Sequence, residues 1–542
     1  MSNNQYNLMF FLVLFFVFVF LSSLFFPQYT LILIYVNLAV AVALSILQLG
    51  IILFPKFKPV RSKLKSHSFV SILVPSYNEP PAILINTLDS LSNLTYGNFE
   101  VLVIDNNTRD TSVWKPAKRF VESLGGKFRF FHVDKLSGFK AGALNYLMKR
   151  VDERAEFAAV IDADYIVNPD FLDVALPYFA NEKIALVQFP QRYRNSIRKN
   201  KPIVDEYSHF FGIYMNMANH LNCVPSTGTV SIYRLNVLRK IGGFSGKALT
   251  EDADIGLRIY GAGYGGVYVD YPVGYGLMPY DLEAYRKQKW RWAFGNAQSM
   301  KLLVSLFGKI PFRSWFGFLS HLTAWDHFHF IPFAVLASFT ILLLPFVPIT
   351  DDHRHLLDVA AFTILVTIVA KLMLFVANFK FQKKGIGRAL RAFVTHMGMT
   401  VVYSEAWLAF IFNAKYGFER TNKFILNKMP SVLKNSYTEL LLGLWFTAGA
   451  VEAFFWGRPT TVIAYIIAVL SLFSVYYVYW SITPTKIYSK KMVSLLETKY
   501  CKYISGSLGR INILPKKAKN NHMKEKIYEN STTGSFMEKS SS

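Results

Sequence analysis

Asp162 and Asp164 stand two residues apart at the end of the apolar run Ala158–Tyr165, Ala-Ala-Val-Ile-Asp-Ala-Asp-Tyr. Alternate side chains of a strand share a face, so both carboxylates can point the same way. At a strand end such a pair can hold a hard divalent cation, and the cation can hold a diphosphate. An Asp-rich turn after a strand would use the same residues. Asp105 closes Val-Leu-Val-Ile-Asp. A carboxylate there can accept from a nucleobase N–H, or cap the next turn through its backbone. Lys140 opens the helix-like Lys-Ala-Gly-Ala-Leu-Asn145. Small residues admit a ligand to the backbone, a helix N-terminus attracts anions, and the lysine adds a point charge for phosphate. A solvated lysine before a well-packed helix is the plainer reading.

Thr250-Glu251-Asp252 combines a good N-cap with acids in a first helical turn. Read for chemistry, Asp252 is a general base that takes a proton from a hydroxyl attacking an electrophilic carbon. In Gln288-Lys289-Trp290-Arg291-Trp292, helical spacing puts Gln288, Arg291 and Trp292 on one face. Arg291 can bind a diphosphate leaving group bidentately, and a Trp ring is a platform for a sugar face. An interfacial helix with Trp and Arg at headgroup depth would look the same, and both readings can hold together.

The elements that must position these residues follow from the pattern. From about Ser68 to Ser305, short apolar runs alternate with polar, helix-like stretches. Strands are predicted at Phe69–Val74, Phe99–Ile104, Phe128–Val133, Ala158–Ile161 and Ile184–Phe189, and helices at Pro81–Leu94, Trp114–Leu124 and Ala141–Arg150. Such alternation predicts an α/β domain with a mostly parallel sheet, whose ligands bind beyond the carboxyl ends of the strands. Long apolar runs flank it: Leu8–Phe26, Tyr29–Phe54, Phe330–Val347, Leu357–Val376, Glu439–Trp456 and Thr460–Ile482, about six membrane spans. The first lacks a basic n-region and reads as a retained anchor. Lysines and arginines after the second and fourth runs place those segments, and both termini, in the cytoplasm. Leu390–Phe412, with Arg391, His396 and Glu405, is predicted to lie on the membrane as one amphipathic helix; a polar-studded span is the alternative. The expected division is residues 1–66 (two N-terminal spans), 67–305 (cytosolic catalytic domain), 306–483 (interface helices and about four spans) and 484–542 (a basic tail, disordered at its end).

The 542 residues are 52% hydrophobic and carry a net charge of +24, too apolar for a purely soluble enzyme. The positive excess suits anionic lipid headgroups and phosphorylated substrates. With no zinc-ligand spacing and no RNA-binding signature, a nucleic-acid partner is not expected. The two cysteines, Cys223 and Cys501, provide neither a disulfide framework nor a metal cluster. His321, His327 and His329 read as interfacial or packing residues.

Asp105, Asp162-x-Asp164, Thr250-Glu251-Asp252 and Gln288-x-x-Arg291-Trp292 occur in an order and spacing that resembles the motif set of membrane-embedded family 2 glycosyltransferases. That group includes cellulose, hyaluronan, chitin and glucomannan synthases. Gly417-Phe418-Glu419-Arg420-Thr421-Asn422-Lys423 adds to the resemblance, because cellulose-synthase-like enzymes carry a gating loop with a Phe-x-x-Thr-x-Lys core there. The resemblance implies a GT-A fold (Rossmann-like, mostly parallel), a UDP- or GDP-sugar donor, and Mg2+ or Mn2+. Asp105 would contact the base. Asp162 and Asp164 would contact donor and metal, Asp164 foremost, with Lys140 near the donor. Asp252, next to Thr250 and Glu251, would be the base. Gln288, Arg291 and Trp292 would close over pyrophosphate and acceptor. Phe418, Thr421 and Lys423 would belong to the gating loop, and Gly228 and Thr229 to an acceptor-side loop that glycine-turn chemistry explains nearly as well.

The implied reaction is inverting. An acceptor hydroxyl displaces the nucleotide from an α-linked donor and leaves a β-linkage. The leaving diphosphate needs no protonation, so one carboxylate suffices, unlike the pair of a hydrolase. Two positions depart from the family pattern. Lys289 stands where many relatives have a second Arg, and Arg420 stands where bacterial cellulose synthases usually have Val, which is closer to the glucomannan type. The expected activity is elongation of a β-glycan, with passage of the chain through the protein's own spans. Transfer of one sugar to a polyprenyl phosphate or ceramide-like lipid is the nearest alternative. A transporter with a regulatory domain is disfavoured, because the acidic motifs lie outside the spans. Accessory subunits are left open.

Overall fold

The computed structural model describes residues 3–52, 59–62, 68–196, 198–325, 330–342, 348–414 and 431–482. Two uncharged helices come first, α1 (Asn3–Phe25) and α2 (Pro27–Ile52). Pro27 starts the second, where its missing N–H costs nothing.

Strands and helices then alternate as the pattern predicts: β1 (Phe69–Ser76), α3 (Pro81–Ser92), β2 (Phe99–Asn106), α4 (Thr111–Leu124), β3 (Phe128–Val133), α5 (Phe139–Met148) and β4 (Ala155–Val160). Every residue of β1 and β2 is buried, which is why they read as continuous apolar runs rather than alternating ones. Next come β5 (Ile166–Val167), α6 (Phe171–Ala175), β6 (Ile184–Gln188), α7 (Lys201–Ser208), a π-helical turn at His209–Tyr214, and α8 (Met215–Leu221). They are followed by β7 (Ser231–Arg234), α9 (Leu235–Lys240), α10 (Glu251–Gly261), β8 (Gly265–Tyr268) and β9 (Gly274–Tyr275).

The sheet has seven strands in the order β3-β2-β1-β4-β7-β6-β8. Among them β7 runs antiparallel to β4 and β6, and the other pairings are parallel. This is the mostly parallel α/β sheet expected of the domain. One local expectation is corrected. β4 ends at Val160, so Asp162 and Asp164 sit in the turn beyond it rather than on alternate positions of a strand. Tyr165 N donates to Asp162 O at 3.1 Å to close that turn.

The remaining elements are helical: α11 (Leu282–Ser305), α12 (Phe312–Leu322), α13 (Phe330–Leu342), α14 (Asp351–Phe381), α15 (Ile386–Met397), α16 (Thr400–Ile411), α17 (Val432–Phe455) and α18 (Pro459–Ile482). Among the described residues four helical stretches are long and apolar enough to cross a membrane: Pro27–Leu49, Asp351–Phe381, Ser436–Phe455 and Pro459–Ile482. The other two expected spans fall on shorter apolar stretches, Val13–Phe25 and Ile331–Ile341. The single helix expected over Leu390–Phe412 is two helices, α15 and α16, because Gly398 caps the first. Phe418, Thr421 and Lys423, like His327, His329 and the basic tail, lie outside the described residues.

Candidate active site

The carboxyl ends of β1, β2 and β4 open onto a cavity of about 260 Å3. Nine of the side chains singled out from sequence line it: Lys140, Asp162, Asp164, Thr250, Glu251, Asp252, Gln288, Arg291 and Trp292. They come from four places along the chain, and each is aimed by a local device.

Lys140 is the second residue of α5, entered through Gly138 at φ +84° and Phe139 at φ +51°. Its Nζ donates to Asp162 Oδ1 at 2.7 Å and to Gly228 O at 2.8 Å, and it lies 3.5 Å from Glu251. The carboxylates around it push its pKa up against the opposing effect of burial. Asp164 is 3% exposed and its Oδ2 accepts from Leu277 N at 2.8 Å. Asp162 N donates to Thr229 Oγ1 at 3.0 Å. Thr229 is itself buried, so it braces the turn from behind rather than lining the cavity.

Thr250 occupies the N-cap of α10, as its position predicts, but its side chain makes no capping bond, and Oγ1 is buried without a partner. Gly295 of α11 lies against it: a Cβ there would stand 2.5 Å from Thr250 Oγ1, so α11 approaches the start of α10 at a glycine. Asp252 follows, with its Oδ1 accepting from Ala253 N at 2.9 Å. Burial, then the neighbouring Glu251, raises its pKa to about 7, against the lowering influence of Lys140 and Arg291. Gly228, at φ +78°, passes so close that a Cβ there would lie 2.9 Å from Asp252 Oδ2.

On α11, Gln288 is buried and accepts from the Tyr207 hydroxyl. Arg291 and Trp292 reach the cavity beside it. Lys289 does not. It is fully buried on another side of the helix, 2.6 Å from Glu206 Oε2 and over the rings of Tyr207 and Trp292 at 4.6 and 4.7 Å.

Asp105 stands at the end of β2 but is 1% exposed and absent from the cavity lining. Thr108 Oγ1 donates to its Oδ1 at 2.8 Å, and His132 Nδ1 lies 3.0 Å from its Oδ2. Its neighbour Asn106 reaches the cavity instead.

Tyr77 and Glu79, in the loop that the apolar run from Val70 leads into, also line the cavity, as do Gln191 and Tyr193, which sequence reasoning missed. It also missed a second, smaller cavity of about 50 Å3 that shares Gln191, Thr227, Thr250, Asp252 and Trp292 with the first. Phe210, Trp325, Asn296 and His321 are among the residues that add to that wall. His321, expected to be an interfacial or packing residue, is 4% exposed with Nδ1 lacking a partner.

Asp162 and Asp164 supply hard oxygen donors to a cavity that also holds cationic side chains. Among the described residues no cluster of three or more His, Cys, Asp or Glu could hold a metal alone. The donor set fits a divalent ion that arrives with phosphate and keeps water, since such an ion needs only one or two protein carboxylates.

Residues 67–295 match the family model described as glycosyltransferase like family 2. The chain carries a family 2 glycosyltransferase domain. Over 305 residues it is 28% identical to the probable glucomannan 4-beta-mannosyltransferase 14 of Arabidopsis thaliana, a match covering 51% of this chain and 55% of the relative. Over 249 residues it is 28% identical to the UDP-forming cellulose synthase catalytic subunit of Pseudomonas fluorescens, covering 44% and 32%. The chain thus spans about half or less of the length of these relatives. Among solved structures it is similar to the mannosyltransferase PcManGT from Pyrobaculum calidifontis in complex with GDP-Man and Mn2+. That match has 18% identity and a TM-score of 0.46, over 70% of this chain and 100% of the other.

Proposed function

We propose that this protein is an inverting membrane glycosyltransferase. It takes a sugar from a UDP- or GDP-sugar, elongates a β-linked polysaccharide and passes the product through its own helices. The observation that carries this is a single cavity in which Asp252 faces Arg291, Trp292, Lys140 and the Asp162/Asp164 turn. In this reading residues 67–305 are the cytosolic catalytic domain, residues 1–66 and 306–483 hold the membrane helices, and residues 484–542 are a cytosolic tail.

Asp252 accepts the proton of the acceptor hydroxyl as that oxygen attacks the anomeric carbon. A pKa near 7 suits a base working at neutral pH. The bond to the nucleotide diphosphate breaks, and the charge that lands on the diphosphate is met by Arg291 and Lys140. Lys140 also orders the site by joining the Asp162 turn to the Gly228 loop. When bound, Mg2+ or Mn2+ held by Asp164 and Asp162 would add positive charge to the diphosphate. Trp292, which lines both cavities, is the platform for the acceptor sugar, with Gly228 and Thr229 on the adjoining loop. Asp105, by resemblance, would mark the base end of the donor site, behind Asn106, which lines the cavity. By resemblance, Phe418, Thr421 and Lys423 form a gating loop.

The test uses the full chain in detergent with labelled UDP- and GDP-sugars and Mg2+ or Mn2+. Label in a high-mass, glycosidase-sensitive fraction is the expected result. Label confined to an organic phase replaces polymer synthesis with single transfer to a lipid, and no turnover of any donor overturns the reading.

A further inference from the structure

Helix α11 carries three cleft residues, and it is fastened from behind. Successive helical residues turn by about 100°, so relative to Arg286 the positions of Arg291, Gln288 and Trp292 fall at roughly 140°, 200° and 240°. Arg286 is therefore on the side of α11 opposite the cleft. There its Nη1 donates to Glu439 Oε1 of α17, a helix long and apolar enough to cross a membrane. The side chain of Glu439 is 2% exposed and that of Arg286 17%. The other oxygen of Glu439, Oε2, is buried without a hydrogen-bond partner, so the pair with Arg286 holds this carboxylate. Glu405 of α16 also acts on Arg286. α17 departs from helical geometry at Ser436, with φ −142° and ψ 22°, three residues before Glu439. A buried ion pair of this kind is weak evidence for stability, since an apolar pair of similar volume often serves as well. α11 packs chiefly against α16 and hardly against α17, so this pair is a direct tie between α11 and α17.

Resting on the reading of the cleft as a nucleotide-sugar site, we infer that Arg286 is a positioning residue for the donor. Its pair with Glu439 sets the rotation and depth at which α11 presents Gln288, Arg291 and Trp292. A membrane helix and the nucleotide cleft thus share one mechanical element, and movement of α17 reaches the pyrophosphate-binding side chains through Arg286.

The experiment uses the full chain in detergent. UDP and GDP, each with Mn2+, are titrated by calorimetry, and thermal unfolding is recorded alongside. R286M/E405Q/E439L removes the pair together with Glu405, the other buried carboxylate that faces Arg286, so none is left uncompensated; R286E/E405Q/E439R reverses the pair on the same background. Wild type is expected to bind one of the two nucleotides. R286M/E405Q/E439L should melt close to wild type yet bind that nucleotide at least about tenfold more weakly, within the loss that a misplacement of about 1 Å can produce. R286E/E405Q/E439R should recover most of the affinity. Wild-type affinity in R286M/E405Q/E439L overturns the inference, because the pair then only packs. So does a reversed pair that melts like wild type but stays weak. If wild type binds neither nucleotide, the reading of the cleft fails, and this inference with it.

Discussion

Two lysines of this domain are withdrawn from water, and they are held in opposite ways. Lys289 is fully buried with one carboxylate, Glu206, under the rings of Tyr207, Tyr285, Trp292 and Trp325. One positive charge meets one negative charge, and the cage is closed. Lys140 is 20% exposed and faces Asp162, Glu251 and Asp252, with Asp164 in the same cavity. Acids outnumber lysine there, and burial, with the neighbouring Glu251 second, raises Asp252 to about 7. A balanced buried pair fixes structure. An unbalanced one stores a demand for positive charge that a substrate-borne cation can meet.

Asp252→Asn should break the unbalanced side most completely. Transfer falls by about a thousandfold, within the range that a positioned general base contributes, while nucleotide binding survives. The same variant sharpens the electrostatic contrast. A carboxyl whose folded pKa is raised from 3.8 to about 7 contributes its stability fully below pH 3.8 and loses it as pH rises through 7. Asp252→Asn should therefore melt above wild type at pH 8, and the difference should vanish at pH 4. Normal turnover by the variant would sink the assignment of the base.

The balanced side predicts the reverse pattern. Lys289→Met leaves Glu206 buried without its cation, with the Tyr285 hydroxyl still donating to it, at a cost of about 3–5 kcal/mol in thermal or denaturant unfolding. Adding Glu206→Leu should restore most of that loss. Lys140→Met, by contrast, should abolish transfer with a smaller loss of stability, because its site stays open to water. If the two lysine variants lose stability equally, the contrast between cage and cleft is wrong.

The sequence announced the two lysines unevenly. Lys140 was readable from the small residues after it. Lys289 stood out as a departure from a family pattern, but its partner Glu206 lies 83 residues away and nothing local pointed to it. The fold divides the same way. β1, β2, β3, β4 and β6 and the helices α3, α4 and α5 showed as runs set off by Pro, Asn and Gly. β7 was missed because Ser231-Ile-Tyr-Arg is four residues long, and β8 because Gly265-Gly-Val-Tyr has two glycines. Pairing with neighbours makes both of them strands. Asp105 was found by its place at the end of an apolar run. Its partner His132 arrives only through the parallel register of β2 and β3, in which the two residues are opposite. His321 and Asn296 reach the second cavity from α12 and α11, and no spacing rule joins them.

The pH profile tests the surplus of acid more gently. Below the pKa of the base, kcat/KM should rise about tenfold per pH unit and then level off near pH 7. Glu251→Gln removes one raising influence on Asp252, so the bend should move to lower pH. A bend that stays in place would assign the raised pKa to burial alone.

The smallest effect belongs to Gly228, where the contrast can be probed without touching a charge. Its φ of +78° is costly for any residue with a Cβ, and an added methyl would meet Asp252 Oδ2 at 2.9 Å and Lys140 Nζ at 3.3 Å. Gly228→Ala should cost about 1 kcal/mol of stability from the backbone. It should also displace Asp252 and Lys140 together, because Lys140 is anchored to Gly228 O. The expected result is a loss of about tenfold in kcat with a shifted pH profile, since both the base and its nearest cation move. An alanine elsewhere at a positive φ, such as Gly263→Ala at φ +84° with no atom within 4 Å of its Cβ, carries the backbone cost alone. Equal kinetic losses in the two variants would mean that the cleft responds to global softening. A loss confined to Gly228→Ala would show that the acid-rich side tolerates no displacement of its one lysine.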